Sequence, residues 1–261
     1  MSSPVVVSHR TGPVLTLTLN RPEVLNAIDD ALLEALAEAL DAARHQPDCR
    51  VVVLRGEGRV FCAGGDVNDM PVQRSEAEYR SRRLLAERTL ARAVRTLDRP
   101  LIARIHGAAV GGGCVLAALC DLRIASEGTT FSLPETAFGT TASLGGMYLL
   151  TRIVGLGRAF ELLYLGESFD ARRALEIGLL NRVVPEADLD DQTTRLAHRL
   201  AEQFPREMML TRRAILEGLA LDFDQAVERE TDAAMQAHLS GDVIEGFRRA
   251  RERIQRKRRA S

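Results

Sequence analysis

The chain has 261 residues, 46% apolar and 27% charged, a composition that suits a globular protein with one large core and a small appended element. Its formal net charge of −1 supplies no global field that would draw it to nucleic acid or a membrane surface. The very apolar window from His106 to Cys120 is free of Asp, Glu, Lys and Arg but too short and too glycine-rich to span a bilayer.

Val14 to Leu19 alternates apolar and hydroxyl-bearing residues and predicts a half-buried strand. After the turn signal Asn20-Arg21-Pro22, Ile28, Leu32, Leu36 and Leu40 recur every fourth residue, the pattern of an amphipathic helix. Arg50 to Leu54 reads as a short buried strand ended by Gly56. Arg99-Pro100 breaks a preceding helix, and Leu101 to Ile105 gives another strand. The glycine run Gly111 to Gly113 then opens an apolar helix ending near Asp121. Leu122 to Ala125 and Thr130 to Leu133 are further strand candidates. From Gly145 the pattern turns helical: Met147–Val154, Ala159–Leu165, Ala171–Ile177, and two or three more helices after Pro185.

Strands alternating with helices predict an α/β core. We place this core at residues 1–195 and a helical region at 196–261. The helical region is too thin to bury its own core and is expected to pack on the first part or on another subunit. Cys49, Cys62, Cys114 and Cys120 form no C-x-x-C pair and have no His at metal spacing, so reduced thiols, a cytoplasmic location and no metal are expected. MSSPVVVSHR lacks the pattern of a signal peptide.

Several short motifs lead nowhere. Gly56-Glu57-Gly58 lacks the third glycine and helix start of a dinucleotide fingerprint and reads as a turn. Thr141-Ala-Ser143-Leu-Gly145 resembles a nucleophile elbow, but Thr141 replaces the first glycine of that strained turn. His106, beside a glycine at a strand end, has no evident partner and reads as structural. The basic tail Arg248–Arg259 reads as a solvated terminus, with attraction for a polyanion as the functional alternative.

Two glycine segments carry more. Phe61-Cys-Ala-Gly-Gly65-Asp66-Val-Asn68 places a bare glycine pair at a strand end, where backbone can approach a ligand. His106-Gly-Ala-Ala-Val-Gly111-Gly112-Gly113-Cys114 leads glycines directly into a helix. The unpaired N–H groups and positive dipole end of a helix start suit a developing oxyanion.

With these segments the sequence resembles the enoyl-CoA hydratase/isomerase (crotonase) family over nearly its whole length. The matching pieces are Leu19-Asn-Arg-Pro-Glu-Val-Leu-Asn-Ala27, Phe61-Cys-Ala-Gly-Gly-Asp66, Gly107-Ala-Ala-Val-Gly-Gly-Gly-Cys114, Pro134-Glu135, Gly145-Gly146 with Arg152-Ile-Val-Gly155, and Ala174-Leu-Glu-Ile-Gly-Leu-Leu-Asn-Arg-Val-Val-Pro185. The resemblance implies an α/β fold: a crotonase-type ββα spiral with a C-terminal helical region that builds trimers, often paired into hexamers. The implied partners are an acyl-CoA substrate and copies of the chain itself, with neither nucleic acid nor membrane. No separate cofactor is implied, because coenzyme A is part of the substrate.

By the same resemblance the N–H groups of Gly65 and Gly112 grip the thioester carbonyl. Glu135 matches one of the two glutamates between which family hydratases hold a water. The other position is Val115, which can neither orient water nor donate a proton. A third position, aspartate in some isomerases, dehalogenases and naphthoate synthases of the family, is Ser143, a secondary candidate. Ala63, Gly65, Asp66, Val67 and Asn68 are implied to line the coenzyme A, with Arg21 and Leu25 near its adenine and pantetheine and Met70 to Leu90 over the acyl group. The tail carries Ala250 and Arg251 where relatives have bulky apolar residues, so no individual phosphate contact is assigned there. A single carboxylate suffices for a double-bond shift, so the expectation is an enoyl-CoA isomerase. A hydratase or dehydratase lacking the second glutamate is the first alternative, and a non-catalytic CoA-binding subunit the second.

Overall fold

A computed structural model describes residues 3–66 and 75–260. The chain divides into two compact units, Met1–Ala201 and Glu202–Ser261.

The first unit is built on a six-stranded sheet in the order β1-β2-β3-β4-β6-β9. Strand β1 (Val6–Thr11) folds back antiparallel on β2 (Val14–Leu19), and β3 (Val51–Gly56), β4 (Leu101–Ile105), β6 (Leu122–Ser126) and β9 (Arg182–Val184) follow in parallel. A smaller sheet holds β5 (Ala108–Val110), β7 (Thr130–Ser132) and β8 (Phe169–Asp170). Bridges Ile28↔Gly65 and Cys62↔Ala109 extend its line. The predicted ββα repeat is visible here: β4 passes into β5 and then into helix α3 (Gly112–Leu119).

Val51 to Leu54 are all buried because both faces of their strand are covered. Val52 and Leu54 belong to the main core with Leu32, Leu36 and Leu40 of α1 (Asp30–Arg44) and Leu90 and Val94 of α2 (Glu76–Thr96). Val51 and Val53 point the other way, to Leu189, Leu196 and Ala197 of α7 (Leu189–Ala201). Helices α4 (Gly146–Ile153), α5 (Leu156–Leu165) and α6 (Ala171–Glu176) complete this unit.

The second unit comprises α8 (Pro205–Gly218), α9 (Phe223–His238) and α10 (Asp242–Ala260). Among the described residues four α-helices therefore follow Pro185, rather than two or three, and the unit boundary falls after α7, whereas residue 195 lies inside that helix. Among the described residues of this unit the buried apolar side chains are Leu210 and Ala214. Phe223, Met235, Leu239, Ile244 and Phe247 are exposed, so its apolar content exceeds what three helices cover. No helix among the described residues is long and apolar enough to cross a membrane.

Candidate active site

The two glycine segments meet. Phe61 and Cys62 run beside β5, with Phe61 N–H donating to His106 O (2.9 Å) and Val110 N–H to Cys62 O (3.0 Å). Two residues on, Ile28 N–H donates to Gly64 O (2.7 Å) and Ile28 O accepts from Asp66 N–H (2.9 Å). A residue bridged in this way leaves the N–H of the one between, Gly65, turned away from the ladder, and Gly65 is exposed. Gly64 adopts φ +93°, and a β-carbon there would lie 2.7 Å from Val110 O, so only glycine brings the turns this close.

On the other side, Gly111 N–H donates to Ser132 O (2.8 Å), and Gly112 begins α3. The first N–H groups of a helix have no intrahelical acceptor. A β-carbon on Gly112 would stand 3.8 Å from Gly65 N, which places the two amides around one small opening. Among the described residues neither amide has a hydrogen-bond acceptor.

Glu135 opens a 3-10 turn, Glu135–Phe138, directly after Leu133 and Pro134. Its Oε1 would lie 3.0 Å from a β-carbon on Gly111, beside the start of α3. Its Oε2 is buried without a hydrogen-bond partner. Burial raises the Glu135 carboxyl above its ordinary value of 4.5, since desolvation penalises the charged form. The neighbouring Cys114 thiol is pushed up to about 12 by its own burial, with the Glu135 charge adding to the effect. The arrangement is a partly desolvated carboxylate beside two unoccupied N–H donors, which can move a proton next to a stabilised oxyanion.

Val115 lies one turn into α3, 1% exposed. A β-carbon on Gly146 would fall 2.5 Å from Val115 Cγ2, so the valine fills the contact between α3 and α4. Ser143 is exposed, and its hydroxyl donates to Glu87 Oε1 (2.7 Å). Leu144 N–H donates to Glu87 Oε2 (3.3 Å) and Arg83 Nε to Oε1 (3.2 Å). Glu87 was not singled out in the sequence. An (i, i+4) Arg–Glu spacing is common on helix surfaces, and Ser143 lies 56 positions away.

Arg21 contacts both Asp29 and Asp66 through Nη2, each at 3.1 Å, and so is tied to the strand end that carries Gly65. Leu25 O accepts from Ala63 N–H (3.0 Å), which joins these two residues at the same turn. Val67 and Asn68, and residues 70–74 of the expected acyl cover, lie outside the described residues. His106 does have partners: its Nδ1 lies 2.7 Å from Arg104 Nη1 and its Nε2 2.9 Å from Gly58 O. In the basic tail, which continues α10, Arg248 and Arg249 pair with Glu245 at 2.7 and 2.8 Å. Among the described residues no cluster of three or more His, Cys, Asp or Glu is placed to hold a metal ion.

Comparison with known proteins agrees with the resemblance. A family model described as enoyl-CoA hydratase/isomerase matches residues 9–257. The short-chain-enoyl-CoA hydratase of Clostridium acetobutylicum is 32% identical over 256 residues, covering 93% of this chain and 97% of that protein. Among solved structures, an enoyl-CoA hydratase of Mycobacterium smegmatis superposes with a TM-score of 0.90 at 30% identity, covering 96% of this chain and 97% of that one. A monofunctional enoyl-CoA isomerase of M. smegmatis gives 0.73 at 34% identity, covering 86% and 98%.

Proposed function

Because the chain belongs to the enoyl-CoA hydratase/isomerase family, we propose that it shifts the double bond of a 3-enoyl-CoA thioester to the 2-position. The thioester oxygen takes the hydrogen bonds of Gly65 N–H and Gly112 N–H. Glu135 removes a proton from C2, and the released electron pair forms a dienolate held at that oxygen. Return of the proton to C4 breaks the C3=C4 double bond, forms C2=C3 and restores the carboxylate. Each N–H donor of this kind contributes about 10²–10³ in rate. Leu25, Ala63 and Asp66 then border the coenzyme A, with Arg21 bracing Asp66.

The observation that carries this reading is Glu135 Oε2, buried and without a partner beside the opening between two free amides. Val115 favours isomerisation, since it leaves no second carboxylate on α3 to anchor an attacking water. The second reading, hydration of a 2-enoyl thioester, is supported by relatives named as hydratases and by the polar pair Ser143–Glu87.

A panel of 2-enoyl and 3-enoyl thioesters of graded chain length, run in ¹⁸O-labelled and deuterated water, tests both. Isomerisation interconverts the 3-enoyl and 2-enoyl thioesters without taking up ¹⁸O, whereas hydration introduces ¹⁸O. Absence of α-proton exchange with every acyl-CoA tried would leave a CoA-binding subunit. We also propose that copies associate as a homotrimer or a hexamer, supported by the uncovered apolar side chains of α9 and α10. Light scattering on the intact chain tests that part.

A further inference from the structure

We propose that Glu87 is a positioning residue of this site: it holds the proton of the Ser143 hydroxyl, leaving Ser143 Oγ as a fixed acceptor for an O–H donor at the acyl end. The inference rests on the enolate reading above. A serine hydroxyl has one hydrogen to give and two lone pairs to offer. Here the hydrogen goes to Glu87 Oε1 at 2.7 Å, so the remaining capacity of Ser143 is to accept. The direction is stabilised from behind. Leu144 N–H and Arg83 Nε also donate to the Glu87 carboxylate, and Arg83 Nη1 reaches Asp30 Oδ1 on α1 at 3.4 Å.

The location follows from three contacts. Gly146 N–H donates to Ser143 O (2.8 Å), and Gly146 packs directly on Val115. Val115 is three residues beyond Gly112 on α3, one helical turn along the same face. Thr140 N–H donates to Glu135 O (2.9 Å), so the segment leading to Ser143 starts at the Glu135 turn. Ser143 is thereby linked to both the Glu135 turn and α3, and an acyl chain with its carbonyl oxygen at Gly112 and its C2 at Glu135 is inferred to run along this segment. The donor it would meet there is either a hydroxyl carried by the acyl group or a water that adds to it.

The test compares the wild-type chain with Ser143→Ala and Glu87→Gln. Ser143→Ala removes the acceptor and leaves the Leu144 and Arg83 contacts of Glu87 in place. Glu87→Gln keeps the shape of the side chain, but its amide can donate to Ser143 Oγ and reverse the bond. Three readouts are taken: kcat/KM for a matched pair of thioesters differing by a hydroxyl against a methyl, ¹⁸O incorporation, and α-proton exchange on a saturated acyl-CoA.

The wild-type chain is expected to prefer the hydroxylated thioester by about tenfold or more, if the donor is on the substrate, or to incorporate ¹⁸O, if it is water. Both variants should collapse that preference or incorporation while retaining exchange. No preference and no ¹⁸O in the wild-type chain, with exchange present, would overturn this inference and leave the enolate reading standing. Variants that keep the wild-type discrimination would overturn it too, as would variants that lose turnover and exchange by one common factor, since Glu87 would then be a clamp for the loop. Absence of exchange in the wild-type chain itself would instead remove the enolate reading.

Discussion

Glu135 Oε1 packs closely over the bare α-carbon of Gly111: a β-carbon there would lie 3.0 Å from it. The carboxylate thereby reaches the start of α3, which begins at Gly112. Two influences act on it: burial opposes its charge, and a hydrogen bond from its own backbone favours it. The net shift is upward, with burial the dominant cause. As a base Glu135 acts ionised, so kcat/KM should fall as pH drops through a value above the ordinary 4.5. A pH–rate profile checks this, and a limb at or below 4.5 would remove the burial argument. Glu135→Gln should lower turnover by about 10²–10⁴.

The same shift has a consequence for stability. A raised carboxyl pKa means that the folded chain binds the Glu135 proton more tightly than the unfolded chain does. Its contribution is favourable below 4.5 and is lost as pH rises through the raised value. At neutral pH the charge is a net cost, which the neutral isostere in Glu135→Gln removes. Thermal unfolding should show the variant melting above the wild-type chain at pH 7, with the gap closing near pH 4. A lower melting point at pH 7 would mean that the carboxylate is stabilised by contacts, against the partnerless Oε2.

His106 carries the opposite sign. Gly58 O can only accept and a guanidinium can only donate, so Nε2 bears the hydrogen and Nδ1 is the acceptor. The neutral ring uses both nitrogens. Protonation would set a second N–H against Arg104, and burial, followed by the Arg104 charge, lowers the His106 pKa below 6.5. The unfolded chain then binds this proton more readily, so stability falls as pH drops through 6.5. Urea unfolding between pH 8 and pH 5 should show this decline, and it should be shallower in His106→Gln. Equal slopes would exclude His106 as its source.

The periodic elements were legible in the sequence because burial writes itself into spacing. Leu32, Leu36 and Leu40 mark α1, and the unbroken Val51 to Leu54 marks a strand covered on both faces. Strands of two or three residues, such as β8 and β9, carry no period to read, and β1 was missed because its residues are mostly exposed. At the site, Gly65, Gly112 and Glu135 were singled out through the family resemblance, whose motifs are short and local in the chain. What could not be read is what lies across space. Nothing near Glu87 or Ser143 in the chain announces the other, and nothing beside His106 points to Gly58. Val115 is the mixed case: its lack of a carboxylate is evident in the sequence, whereas its fit against Gly146 is evident only in the fold.

The two glycines flanking the opening should respond differently to alanine, and the contrast separates folding from function. At Gly64 the new methyl would sit 2.7 Å from Val110 O, a backbone atom, at φ +93°. The turns must move apart, at a strain of about 1–3 kcal/mol, so Gly64→Ala should lower both the melting temperature and activity. At Gly112 the nearest atom is Ile28 Cδ1 at 3.0 Å, the end of a side chain that can rotate aside. Gly112→Ala should therefore melt close to the wild-type chain. Its methyl, however, stands 3.8 Å from Gly65 N, in the space where both amides would hold one oxygen. Turnover and α-proton exchange should fall together by about 10²-fold or more, the loss associated with one oxyanion donor. Calorimetry and exchange on the same preparation decide it. A well-folded Gly112→Ala chain with full exchange would place the thioester oxygen elsewhere.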